Sequence, residues 1–176
     1  MRPALEAGER SVTLTELLHL FRRGTKSEAQ CLNERINMGN ETRVEIKAAG
    51  DILTARQQGR TLATKLGFPG SDVTLIAAAV SEIARNIIEH AEGGEVRFEL
   101  VEKGRKRGLQ IVARDYGPGI EDVVQAMQYG YSSRNGSGLG LPGAKWLMDD
   151  FDIQSKPGEG TTIIMTKWVS RPHTQS

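Results

Sequence analysis

One cysteine, Cys31, stands in a chain of 176 residues, so neither an internal disulfide nor a cysteine-rich metal site is available. There is no excess of either charge: Lys and Arg total 23 against 22 Asp and Glu, a formal net charge of +1. A protein that holds nucleic acid by neutralising phosphates carries a basic surplus, so no nucleic acid is expected as a partner. No apolar run approaches the roughly 20 residues needed to span a bilayer, and no membrane is expected either. The first residues, MRPALEAGERSVTLTEL, mix acidic with basic side chains and hold no uninterrupted apolar stretch, unlike a secretory leader. These absences point to a soluble cytoplasmic protein. What remains is an ordinary globular composition, 38% hydrophobic and 26% charged, in a length that suits about one domain.

The chain divides into an N-terminal extension (1–40), a domain (41–170) and a frayed tail (171–176). The extension is mostly aperiodic. Its exception is Thr13-Leu14-Thr15-Glu16, which fits a capping box and precedes Leu17, Leu18 and Phe21 at helical spacing. Two readings of the extension stand open: a partner-binding segment, or translation that begins at Met38.

From Thr42 the pattern tightens. Residues 43–47 alternate like a half-buried strand, and 51–67 read as a helix stopped by Gly67 and Pro69. A second helix runs from Ser71 or Asp72 to about Ala91. Two strands, 95–101 and 109–113, form a hairpin around a charged tip at 103–108. A glycine-rich region (115–143) holds one short helix near 121–127. Pro142 opens a helix to about 150, being preorganised for a first helical turn. Strands at 152–155 and 161–168 close the domain. Strands that arrive in pairs predict an α+β fold, a two-layer sandwich with helices on one face of a mixed, mostly antiparallel sheet.

Three segments carry candidate chemistry. On the second helix, Val73, Ile76, Ala77, Val80, Ile83, Ala84 and Ile87 make the core stripe. Glu82 and Asn86 lie one turn apart on the other side, with Leu75, Ala78 and Ala79 beside them. Alone they read as an ordinary solvated pair. Yet asparagine is mildly unfavourable in mid-helix, and a carboxylate beside a carboxamide oxygen suits a hard cation such as Mg²⁺. Next, Asp115-Tyr116-Gly117-Pro118-Gly119 follows a strand. It reads as a tight turn, or as an aspartate set to accept from an exocyclic amine, with glycines that admit a flat ring. Third, Gly136, Gly138 and Gly140 lead into the helix at Pro142. Backbone N–H groups and a helix N-terminus there would suit phosphate, and the spacing matches neither the P-loop nor the dinucleotide fingerprint.

In this order the three motifs, with Gly158-Glu159-Gly160-Thr161 after them, resemble the ATP-binding domain of the GHKL (Bergerat-fold) superfamily. That superfamily includes histidine kinases, gyrase-type ATPases and anti-sigma switch kinases. The stretches 55–60, 80–87 and 140–149, and the terminal Thr166-Lys167-Trp168, look like the RsbT-type serine/threonine protein kinases of the bacterial stressosome. The resemblance covers about residues 42–169, and it implies ATP and Mg²⁺ as cofactors. By it, Asn86 is the metal ligand and Glu82 the general base. Asp115 binds the adenine amine, Thr161 supports it through a water, and Gly117 and Gly119 shape the adenine pocket. Gly136, Gly138 and Gly140 hold the phosphates beneath a lid at 128–135, while Arg85 and Lys145 offset phosphate charge.

The same resemblance implies partners. The family phosphorylates a serine on a STAS-domain antagonist protein, and the freed kinase then activates a PP2C-type phosphatase, as part of a stress response. The alternative is an anti-sigma factor that sequesters a sigma factor through a nucleotide-bound domain. A histidine kinase is disfavoured, because His19 lies on a helix too short for a dimerisation bundle and His90 and His173 have no partner motif.

Overall fold

A computed structural model describes residues 41–128 and 140–169. The helix expected at 13–23, most of the lid at 128–135, and both Gly136 and Gly138 lie outside the described residues.

Strand β1 (Thr42–Ile46) leads into helices α1 (Ala49–Lys65) and α2 (Gly70–His90). The hairpin β2 (Gly94–Lys103) and β3 (Lys106–Asp115) follows, then a short helix α3 (Val123–Ala126), helix α4 (Gly140–Leu147), and strands β4 (Asp150–Lys156) and β5 (Gly160–Trp168). The sheet order is β1-β2-β3-β5-β4. All four pairings are antiparallel, so the α+β sandwich forms without the parallel neighbour that a mixed sheet implies.

Alternation along the strands decides which face is covered. Val96 and Phe98 on β2, Leu109, Ile111 and Ala113 on β3, and Ile163 and Met165 on β5 are all buried. They meet Ile76, Val80, Ile83 and Ile87 of α2 in one core. The residues between them, Arg97, Glu99, Gln110, Val112 and Arg114 among them, point to the other face. Glu95 on that face is buried and held by Arg43 and Arg97.

Several boundaries differ from the sequence reading, each for a local reason. The hairpin strands run on to Lys103 and Lys106, leaving only Gly104 and Arg105 at the tip. Gly104 has φ +60°, which suits a tight two-residue turn. Helix α4 ends at Leu147, short of 150. There Asp149 turns to β5 instead, accepting from Lys167 Nζ at 2.8 Å and from the Trp168 backbone N–H at 2.7 Å. The same helix starts at Gly140, two residues ahead of Pro142, which is buried. Ala79 belongs to the core and not to the polar side of α2, because α1 and α4 both pack on that helix.

Candidate active site

Asp115 is the last residue of β3, where the sheet hands the chain to a turn. Its Oδ1 accepts from the backbone N–H of Gly117 at 2.9 Å and from that of Thr161 at 3.1 Å. One carboxylate oxygen therefore fixes both its own turn and the start of β5. The other, Oδ2, is the oxygen available to a ligand.

Thr161 is buried beside it. Its Oγ1 lies 2.9 Å from Ser155 Oγ on β4. Ser155 also accepts from the Ile120 N–H at 2.8 Å and donates to the Gly160 carbonyl at 3.0 Å. Serine has a single hydroxyl proton, so with that proton on the Gly160 carbonyl it is Thr161 that donates to Ser155. Thr161 Oγ1 is then left with acceptor capacity. Ser155 escaped the sequence reading, since a serine in an alternating edge strand gives no signal until its neighbours are known.

The glycines of the turn answer to the chain itself. A Cβ on Gly117 would lie 2.8 Å from both the His90 carbonyl and Ala91 Cβ, at the end of α2. Gly119 has φ +73°, and a Cβ there would collide with the Lys156 carbonyl. Close backbone approach was expected for the sake of a flat ring. The nearer cause is that α2, the β3 turn and the β4–β5 turn meet here without room for side chains.

Helix α2 supplies more of the lining. Glu82, Arg85 and Asn86 border a cavity of about 410 Å³ whose lining also includes Asp115, Gly119, Thr161 and, from α4, Gly140. Two of the three motif segments thus converge on one space, and the third reaches it through Gly140. Arg85 donates to Glu82 Oε1 across 2.9 Å, with 22% of the Glu82 side chain and 43% of the Arg85 side chain exposed. Lys145, exposed on α4, and Gly117, in the turn after β3, are not among the lining residues. Glu121, Asp122 and Gln125, at and before α3, also line the cavity, and sequence reasoning assigned them nothing. Asp122 caps α3, accepting from the Gln125 N–H at 2.9 Å.

The donor set suits a hard cation. Asn86 and Glu82 offer oxygen ligands on one helix face, and among the described residues no group of three or more His, Cys, Asp and Glu forms a closed metal cage. Mg²⁺ ordinarily retains waters and takes few protein ligands, so a pair of this kind fits it. Among the described residues no helix is long and apolar enough to cross a membrane.

A helix wall, an aspartate at a strand end and a glycine-framed turn around one cavity are the layout of an ATPase-type α+β domain. The family model described as "Histidine kinase-like ATPase domain" matches residues 47–167. The chain belongs to that family, and within it to the RsbT-type branch. It is 46% identical over 132 residues to Serine/threonine-protein kinase RsbT of Bacillus subtilis (strain 168), covering 75% of this chain and 99% of that protein. It is also 31% identical to the Anti-sigma F factor of Caldanaerobacter subterraneus subsp. tengcongensis, over 66% of this chain and 85% of that one. The structure of the RsbU and RsbW domains of Rv1364c from Mycobacterium tuberculosis shares the fold, with a TM-score of 0.52 at 23% identity over 76% of this chain. This chain spans 33% of that one.

Proposed function

We propose that the chain is an ATP-dependent protein serine/threonine kinase of a partner-switching stress-response pathway. Its substrate would be a serine on a STAS-domain antagonist, and its second target a PP2C-type phosphatase that it activates once released. The observation that carries this reading is that Glu82 and Asn86 of α2 line the same cavity as Asp115 of β3 and Thr161 of β5. The likeness to RsbT along nearly all of that kinase supports it.

The roles follow from the chemistry of each group. Asp115 Oδ2 accepts from the adenine amine, while Oδ1 stays committed to Gly117 and Thr161. Gly140, with Gly136 and Gly138 ahead of it, offers backbone N–H groups to phosphate. Asn86 would hold Mg²⁺, which neutralises phosphate charge when bound. Phosphoryl transfer needs mainly positioning and charge compensation, so this is a sufficient set. The serine hydroxyl oxygen forms a bond to the γ-phosphorus, and the bond from that phosphorus to the bridging oxygen breaks. The hydroxyl proton passes to the Glu82 carboxylate and ADP departs. Lys145, exposed on α4, would offset phosphate charge from outside the described lining.

The test is incubation with γ-labelled ATP, Mg²⁺ and a STAS-domain protein. Label should appear on a serine of that protein, and Glu82→Gln should abolish transfer. The 31% identity to an anti-sigma F factor favours one second reading, nucleotide-dependent sequestration of a sigma factor. No label transfer, with a sigma factor retained by the ATP-loaded chain, would favour that one.

A further inference from the structure

We propose that Arg85 is a positioning residue that exchanges its partner, leaving the Glu82 carboxylate for the terminal phosphate of a bound nucleoside triphosphate. The inference rests on the nucleotide-binding reading above and adds to it how the site tells a triphosphate from a diphosphate.

The lining of the cavity includes five carboxylates, those of Glu82, Glu89, Asp115, Glu121 and Asp122. Among the described lining residues Arg85 is the one guanidinium or ammonium group. A triphosphate brings several negative charges into that wall, and among the described lining residues Arg85 is the guanidinium that can meet them. The guanidinium pairs with Glu82, at 2.9 Å. That pair is partly exposed, with Arg85 nearly half open to water. Guanidinium bonds to carboxylate and to phosphate are both charge-assisted, but a terminal phosphate offers three oxygens and more negative charge than one carboxylate, and a pair open to water on one side is held weakly. The exchange is therefore downhill once a phosphate arrives within reach.

It also has a consequence for timing. While Arg85 holds Glu82, one carboxylate oxygen is occupied by a donor and poorly placed to take a proton. When the guanidinium moves to the terminal phosphate, that oxygen is released. A diphosphate lacks the group that draws Arg85 away, so Glu82 stays paired. The arginine thus links the presence of a transferable phosphate to the freeing of the base.

Equilibrium titration with ATP and with ADP, in the presence of Mg²⁺, tests this without recourse to activity. Arg85→Ala should weaken ATP roughly tenfold and ADP by less than about twofold. Arg85→Lys should recover part of the loss, because an ammonium carries the charge without the fork. Glu82→Gln should tighten ATP roughly threefold by removing the competitor for the guanidinium. In the Arg85→Ala background that gain should disappear. An equal gain in both backgrounds would mean that Glu82 merely repels phosphate, and would overturn the proposal. So would an Arg85→Ala variant that loses ATP and ADP equally. If the unaltered chain binds neither nucleotide, the nucleotide reading itself fails, an outcome distinct from a failure of the exchange alone.

Discussion

At the scale of single residues, Asp115 divides its two oxygens between structure and ligand, and substitutions can separate the two. Asparagine keeps an oxygen for the Gly117 and Thr161 N–H groups but replaces the other with an N–H₂ donor, which faces the adenine amine donor to donor. Asp115→Asn should therefore fold and melt close to the parent while losing ATP affinity by tenfold or more, roughly the worth of a hydrogen bond to a charged group. Asp115→Ala removes both roles. It should lower stability by about 1–3 kcal/mol in urea denaturation, because two backbone donors lose their acceptor. Equal ATP affinity in Asp115→Asn would take Asp115 out of the site. Glu99 poses a different residue-scale question. Burial pushes its carboxyl pKa up, the neighbouring Glu41 carboxylate adds to the rise, and Arg97 opposes it. A raised folded-state value means that the ionised form costs the folded state stability at neutral pH, and that the cost fades as pH falls through the raised value towards the unfolded value near 4.3. Glu99→Gln should accordingly melt higher than the parent at pH 7, with the gap closing as the pH is lowered to about 4.

At the scale of elements, caps and turns show what could be read from sequence and what could not. The sequence pattern starts α1 at Asp51, but the helix begins at Ala49. The cause is the Asp51 carboxylate, which reaches back to accept from the Lys47 N–H at 2.9 Å and the Ala48 N–H at 2.8 Å. These two backbone donors hold its carboxyl below the usual carboxylate range. A depressed value contributes stability above the unfolded value near 3.9 and loses it as pH falls through the folded one. The acid limb of the melting curve should thus flatten in Asp51→Asn, and the parent should lose its advantage over that variant below the acid transition. The elements themselves were legible because their periodicities are strong: the α2 stripe and the alternation of β2, β3 and β5 each mark a single buried face. The cavity was legible only in part. Glu82, Asn86 and Asp115 stand in motifs, whereas Ser155 and Glu121 reach the site through pairing and turn geometry that no local pattern encodes. The turn glycines were legible as glycines but not in cause. Gly119→Ala demands a left-handed backbone of alanine and drives a Cβ into the Lys156 carbonyl. It should destabilise by about 1–3 kcal/mol even without nucleotide, measurable by chemical denaturation. A variant that keeps its stability but loses ATP would restore the ligand as the reason for the glycine.

At the scale of the whole molecule, the cavity sits where the two layers meet. Its wall is drawn from α2 and α4 in the helical layer and from β3 and β5 in the sheet. The core beneath joins these layers through Ile83 and Ile87 on one side and Ala113 and Ile163 on the other. A ligand spanning that junction would bind the folded state and not the unfolded chain, so its binding free energy adds to the stability of the entire domain. At a hundred times its dissociation constant, ATP with Mg²⁺ should contribute about 2.7 kcal/mol, and the melting temperature should rise by roughly 5–10 °C. Chelation of the cation should shrink the rise, since Asn86 then has no ion through which to hold the phosphates. The pattern across variants carries the inference further than the shift itself. Asp115→Asn should melt like the parent without nucleotide and show at most about half the parent's rise at the same ATP concentration, because its defect lies wholly in the ligand. Gly119→Ala should melt lower without nucleotide yet still rise when ATP is added, because its defect lies in the frame. If both variants lost the rise in the same proportion, the adenine-side turn would be acting only as scaffold, and the base would have to be recognised elsewhere on the wall.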